Sequence, residues 1–390
     1  HGMVALNDKG EVIRKALLWN DTRSARAAED LNREIPDIHI RTGSRLVASF
    51  TASKVRWLCD NEPENAKQLA AVALPHDWLS WRLSGSTDLD QLFTDRSDAS
   101  GTGYFNPESN QYDEEIIKRI TRGKSEFKVP KILKPNEVGG KTKSGIPIAA
   151  GAGDNAAAAL GLGAKVGDLV ISLGTSGTAF AVSATPTKDA TGEVAGFADS
   201  TGNFLPLACT LNAAKVFATI AKTLNVTLDE FAALALKAKS GAEGLRLLPH
   251  FDGERTPNRP HARGNYLGIT NENLKRENLA RAAIEGVIAG MIYAANSLRR
   301  EGFIPSRILL IGGAAKNKAV QEIVASMFAS PIHLPNPGEY VADGAAKQAA
   351  WALSGKNQLP NWESGKLETI EPKEMNQDLV ANYLDLISKV

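Results

Sequence analysis

The stretch "GDLVISLGTSGTAFAVS", residues 167–183, sets two β-rich runs around a turn of small residues and reads as a β-hairpin. Gly174 and Gly177 allow a tight turn whose backbone N–H groups point into one concavity, and Thr175, Ser176 and Thr178 add hydroxyl donors. Such a loop suits phosphate oxygens, because it offers many donors and little bulk. An ordinary hairpin turn has the same composition, so this segment alone leaves both readings open.

Outward from the hairpin, strands and helices mix. Downstream, "SRILLIGGAAKNKAVQEIVASMF" gives a buried strand, a glycine turn at Gly312 and Gly313, and a helix; "PIHLPNPGEYVADGAAKQAAWALSG" repeats that plan. Between them and the hairpin, residues 277–303 carry apolar side chains at Ile284, Val287, Ile288, Met291, Ile292, Ala295 and Leu298, the spacing of a long amphipathic helix. Upstream, residues 4–18 read as strand, turn and strand around "NDKG", and "DTRSARAAEDLNREI" starts a helix with Asp21 or Thr22 as its cap. Residues 52–75 read as two helices broken near Pro63, 113–120 as a helix, and 129–147 as connector. The last helix, roughly 374–389, is expected to dock on the first domain. Sheets with helices packed on them make an α/β protein, with a boundary near residues 140–165.

The totals fit this plan. A chain of 390 residues suggests two domains. Lys plus Arg (45) nearly balances Asp plus Glu (44), which argues against nucleic acid or an anionic membrane as partner. The two cysteines, Cys59 and Cys209, have no metal-ligand spacing, and their scarcity fits a reducing cytoplasm. No apolar run approaches the roughly 20 residues of a membrane-spanning helix.

Four further places could carry chemistry. "AGAGDNAAAALGLG", residues 150–163, isolates one carboxylate, Asp154, among glycines and alanines with Asn155 beside it. Either Asp154 caps a helix, or a small ligand must come close to it. In "ILLIGGAAKN" the glycines end a strand, where nucleotides lie against backbone in open α/β sheets; close strand–helix packing would use the same residues. "LLWNDTRS" sets Trp19, Asn20, Asp21 and Arg23 after a strand, equipment for stacking and hydrogen-bonding a polyol, or else a helix cap with Trp19 in the core. "LPHFDGERTPNRPHARG" is a polar loop long enough for binding. The histidines lie singly, and no G-x-S-x-G, H-E-x-x-H, G-x-G-x-x-G or Walker A segment occurs. One carboxylate plus a phosphate-type hairpin points to phosphoryl transfer, where positioning and electrostatics supply most of the rate.

Taken in order, "HGMVAL", "LLWNDTRS", "LPHDWL", "TDRSDASGTGYF", "AGAGDNAAAALG", "SLGTSGTAF", "LPHFDGERTP", "IGGAAKN" and "ADGAAKQAA" resemble the landmarks of the FGGY-family carbohydrate kinases, and among these most of all the bacterial xylulokinases. The resemblance runs from His1 to about residue 355. It implies an α/β fold of two ribonuclease-H-like (actin/hexokinase-type) domains, with ATP and sugar meeting in the cleft between them. The divisions are 1–164 for an N-terminal sugar-side domain, 165–355 for an ATP-side domain, and 356–390 for a tail and helix.

By the same resemblance the activity is ATP-dependent phosphorylation of D-xylulose to D-xylulose 5-phosphate, with ATP and Mg²⁺ as cofactors. Asp154 is the general base, its small neighbours clearing space for the sugar's terminal carbon. His1, Trp19, Asp21 and Asn155 join it on the sugar side. Gly174, Thr175 and Ser176 match the ATP phosphate hairpin, and Gly313, Ala314 and Asn317 the adenosine-side turn. No protein metal ligand, nucleic acid or membrane is implied, and the family allows a homodimer. Ribulose, fuculose or gluconate as the substrate, or a non-catalytic sugar-binding relative, are the alternatives. The family's opening strands, with their D-x-G-T/S loop, have no counterpart before His1, so the first domain is expected to be truncated at its N-terminus and slow without them.

Overall fold

The computed structural model describes residues 1–389 apart from Lys124, Glu363, Ser364 and Lys366. The last three and Val390 fall in the expected 356–390 tail, and that part of the expectation lies outside the described residues. The chain forms two units: His1–Ala164 with Val182–Pro206 and Gly338–Ser364, and Lys165–Ala181 with Leu207–Pro337 and Gly365–Val390.

The first unit is built on a short antiparallel sheet in which strand Gly2–Leu6 lies between Leu17–Leu18 and Ala71–Ala73. Helices Ala25–Glu34 and Thr51–Asn61 bury Leu31, Val55 and Leu58 together with Met3 and Val72 in its main core. Asp21 does not cap the first of these helices. The helix begins at Ala25 with Ser24, rather than Asp21 or Thr22, as N-cap and no side-chain cap bond, and Arg23 engages the Asp21 carboxylate. The strand Ala71–Ala73, read from sequence as helix, is three apolar residues stopped by Pro75 at the head of the next helix. The presumed connector 129–147 contains a strand Lys131–Ile132 and a hairpin, Val138–Lys141 with Pro147–Ala149.

Two segments placed after residue 165 in the sequence division pack with this unit. Gly196 N–H bonds Gly43 O, Ala198 N–H bonds Ser100 Oγ, and the buried Arg96 guanidinium donates to Asn203 O at 2.6 Å and Asp199 Oδ1 at 3.3 Å. Helix Tyr340–Ser354 lies along helix Asp154–Leu162 so closely that a Cβ on Gly161 would strike Tyr340 O, and one on Gly344 would strike Ala157 O. Glycine at both positions is what allows the contact.

The second unit centres on strands in the order Phe204–Thr210, Gly177–Ala181, Asp168–Leu173, Arg307–Ile311, Ile332–Leu334, Glu368–Ile370. The first three are antiparallel; Asp168–Leu173 then runs parallel to Arg307–Ile311, with Ser172 opposite Ile311. Helix Arg276–Arg300 buries a wide face, from Ile284 to Leu298. The last helix, Gln377–Lys389, does not dock on the first domain: it packs on Arg276–Arg300 and on strand Arg246–Leu248, burying Leu379, Tyr383 and Ile387. Its apolar stripe covers surface that lies beside it in its own unit.

Candidate functional site

In the first unit, register brings the opening residues together. Gly2 pairs with Leu18 and Met3 with Leu17, so His1 and Trp19 leave the ladder at the same end. The His1 ring meets Phe50 and Phe197 edge-on, with centroids at 5.4 and 6.0 Å, and Gly101 leaves it room: a Cβ there would collide with the imidazole. Trp19 is 66% exposed, so its indole face is open rather than part of the core. Asp21 accepts two bonds from Arg23 Nε, which hold its carboxyl below the usual carboxylate range. Beneath this loop Lys54 is fully buried, its Nζ donating to Asp21 O at 3.0 Å; burial pushes the amine down to about 8.

Asp154 is the first residue of helix Asp154–Leu162, with Gly153 as N-cap. Its carboxylate is exposed. Oδ1 accepts from Asn155 N at 2.7 Å and Asn155 Nδ2 at 2.9 Å, and Oδ2 has no hydrogen-bond partner among the described residues. The alanines that follow are buried and carry nothing polar, so the carboxylate stands alone at the start of the helix. A helix N-terminus favours a negative group, and the small lead-in residues leave its approach clear.

Sequence reading missed the neighbourhood of that lead-in. The half-buried His76, in "LPHDWL", and the buried Asp95, Ser97 and Asp98, in "TDRSDAS", form one polar cluster beside Gly151 and Gly153. His76 Nδ1 lies 2.9 Å from Asp77 Oδ1, and Nε2 lies 3.0 Å from Asp95 Oδ2 and 3.1 Å from Asp98 Oδ2. Burial alone would lower the imidazole's pKa; the negative charges of Asp77 and Asp98, with the hydrogen bond to Asp95, outweigh it and raise the pKa well above the ordinary value. Asp77, buried beside it, is raised by its own desolvation. Asp98 Oδ1 also lies 2.8 Å from the backbone nitrogen of His1, and a Cβ on Gly153 would lie 3.7 Å from the same oxygen. Only the histidine-plus-aspartate content of these two segments hinted at this, and they are separated in sequence.

In the second unit, the parallel ladder sets Gly174, Thr175 and Ser176 beside Gly313 and Ala314. Residues 174–176 form the turn between Leu173 and Gly177, with Thr175 and Ser176 exposed. Gly312, at φ 96°, lies against Leu173, where a Cβ would come within 2.6 Å of the Leu173 carbonyl carbon. Both turns therefore emerge at the carboxyl ends of adjacent parallel strands, the usual ligand edge of such sheets. Asn317 caps helix Lys318–Phe328, its side-chain oxygen accepting from Ala319 N at 2.9 Å and Val320 N at 3.3 Å. The polar loop after Pro249 is held by Glu254, which accepts from Leu211 N at 2.6 Å and Asn212 Nδ2 at 3.0 Å.

Comparison with known proteins gives one answer. Residues 1–161 match the N-terminal domain, and residues 169–353 the C-terminal domain, of the FGGY family of carbohydrate kinases. The xylulose kinase of Streptomyces coelicolor is 42% identical over 369 residues, which span 92% of this chain and 73% of that protein. That of Streptomyces rubiginosus is 40% identical over an alignment of 402 positions that covers 98% of this chain and 80% of the relative. The crystal structure of xylulose kinase from Bifidobacterium adolescentis superposes with a TM-score of 0.91 at 42% identity, covering 99% of this chain and 85% of that one.

Proposed function

The chain belongs to the FGGY family of carbohydrate kinases, and on that footing we propose that it phosphorylates D-xylulose, transferring the γ-phosphoryl group of ATP to the sugar's terminal hydroxyl. The observation that carries the reading is the lone carboxylate of Asp154, with one oxygen bonded to Asn155 and the other open. Asp154 takes the proton from the sugar hydroxyl as phosphorus–oxygen bond formation proceeds, and ADP leaves. Asn155 fixes the carboxylate's orientation. His1 and Trp19 offer a polar edge and an aromatic face to the sugar, while Asp21, tied to Arg23, shapes the loop beside them.

Gly174, Thr175 and Ser176 are assigned to the ATP phosphates, and Gly313, Ala314 and Asn317 to the adenosine side, with Asn317 also capping its helix. Mg²⁺ belongs to this reading as an ion carried on the nucleotide, where it neutralises phosphate charge. Among the described residues no group of three or more His, Cys, Asp or Glu side chains could hold a metal. No described residue is assigned to Mg²⁺.

The domain roles follow the two units: His1–Ala164 with Val182–Pro206 and Gly338–Ser364 on the sugar side, and Lys165–Ala181 with Leu207–Pro337 and Gly365–Val390 on the ATP side. Cytoplasmic action, where ATP is at hand, and a homodimer complete the proposal. Among the described residues no helix is long and apolar enough to cross a membrane. The test is ADP release by the full-length protein over a panel of ketoses and polyols: D-xylulose should lead, and a lead for another sugar would replace it as substrate.

A further inference from the structure

The loop that carries Asp154 is gripped by two side chains from distant parts of the chain. At one end Gln348 makes a two-way bond with Gly151, Oε1 accepting its N–H at 3.0 Å and Nε2 donating to its carbonyl. At the other end Ser97 Oγ accepts the N–H of Gly153 at 2.9 Å. The direction of the second bond is fixed. The Ser97 hydroxyl gives its own proton to Asp95 Oδ1, which also accepts Ser97 N at 2.7 Å and Asp98 N at 3.1 Å, so only lone pairs face Gly153. Asp95 is held in turn by His76 at 3.0 Å.

Gln348 is 2% exposed, on a helix whose buried face otherwise includes Gly344, Trp351 and Ala352. A buried amide costs stability unless both its polar ends are satisfied, and here the Gly151 backbone satisfies both. The glycine-to-glycine approach of helix Tyr340–Ser354 to helix Asp154–Leu162 brings Gln348 within reach.

We infer that Gln348 and Ser97 are positioning residues for the base: they fix the short loop Gly151–Gly153, and through it the place of the Asp154 carboxylate. This rests on Asp154 acting as the proposed base, and it holds whichever sugar is the substrate. Misplacing a reacting group by about 1 Å can cost on the order of 100-fold in rate while leaving binding nearly intact.

The experiment compares full-length wild type, Gln348→Met, Ser97→Ala and Ser97→Thr, each also in an Asp154→Asn background, on the sugar that wild type phosphorylates best. Gln348→Met keeps the side chain's length and removes its polarity, and Ser97→Thr keeps the hydroxyl. Gln348→Met and Ser97→Ala should each lower kcat by about 10- to 100-fold with the sugar KM within about threefold, and Ser97→Thr should recover most of the loss. In the Asp154→Asn background the same changes should cost little more, because residues that act as a unit are not additive. Unchanged kcat with a lowered melting temperature, a rise in KM alone, or full additivity with Asp154→Asn would each overturn the inference. Failure of the substrate reading shows elsewhere, as a wild type that prefers a sugar other than D-xylulose.

Discussion

Asn155 turns both its backbone N–H and its side-chain amide onto Oδ1 of Asp154, at 2.7 and 2.9 Å, so the carboxylate is held by one oxygen and presented by the other. Asn in place of Asp154 keeps a carbonyl oxygen for those two donors and loses the proton acceptor. Asp154→Asn should lower kcat by roughly 100- to 10,000-fold while sugar and ATP bind within a few-fold of normal. The melting temperature should move little, since the lost charge at a helix start is worth about 0.3–1 kcal/mol. Calorimetric titration, thermal melting and ADP release on the one variant measure all three; a near-normal kcat would remove Asp154 as the base.

Sugar choice is the second test. His1 and Trp19 leave the strand ladder at the same end, and with the proposed sugar site there a polyol with the wrong hydroxyl pattern would leave polar groups unpaired. D-xylulose should exceed glycerol and gluconate in kcat/KM by about 100-fold or more. A flat profile across the panel, or a preference for glycerol, contradicts this.

His76 predicts an alkaline slope in stability. Its pKa is raised in the folded protein, where Asp77, Asp95 and Asp98 face it, above an unfolded value of about 6.5. Between the two values the folded state holds more protons than the unfolded, so this contribution is complete below the unfolded pKa and fades as pH rises through the folded one. The melting temperature of wild type should therefore fall as pH climbs from about 6.5 into the alkaline range. His76→Gln should be less stable at pH 6 and should flatten that slope; an unchanged slope would show that the imidazole is neutral in the fold.

Gly344→Ala tests the helix contact. The added methyl would meet Ala157 O on the neighbouring backbone, which cannot swing aside as a flexible side chain can. Overpacking of this kind typically costs about 1–3 kcal/mol. Chemical denaturation should show the midpoint falling without a change in slope, and kcat should fall with it as Gln348 is pushed off Gly151. Full stability in the variant would mean the helices can separate freely.

The parts of the molecule that sequence made legible are those encoded locally. The hairpin across residues 174–176, the strand–glycine turn–helix at Arg307–Phe328 and the long helix Arg276–Arg300 each carry their own period and punctuation. The strand Ala71–Ala73 was lost inside an alanine-rich helix signal because three apolar residues have no period of their own. Asp154 stood out as a lone acid among small residues. Its supports did not: His76, Ser97 and Gln348 are ordinary polar residues in three separate segments, and only folding brings them to Gly151 and Gly153. The docking of the last helix is not legible in sequence, because an amphipathic stripe reports that a face is covered and not by what.

The parallel ladder from Asp168 to Ser172 against Arg307 to Ile311 has a modular consequence. Two glycine turns encoded far apart are registered by backbone pairing, and Gly312 lies against the Leu173 backbone with no room for a Cβ. The intervening chain is then free to vary in length at its exposed tips, such as residues 269–272, without shifting one turn against the other. Insertions, grafted peptides or new chain ends at such a tip should leave the spacing of the two turns intact. The ladder acts as a fixed chassis around which the rest of that unit can be lengthened, tagged or circularly rewired.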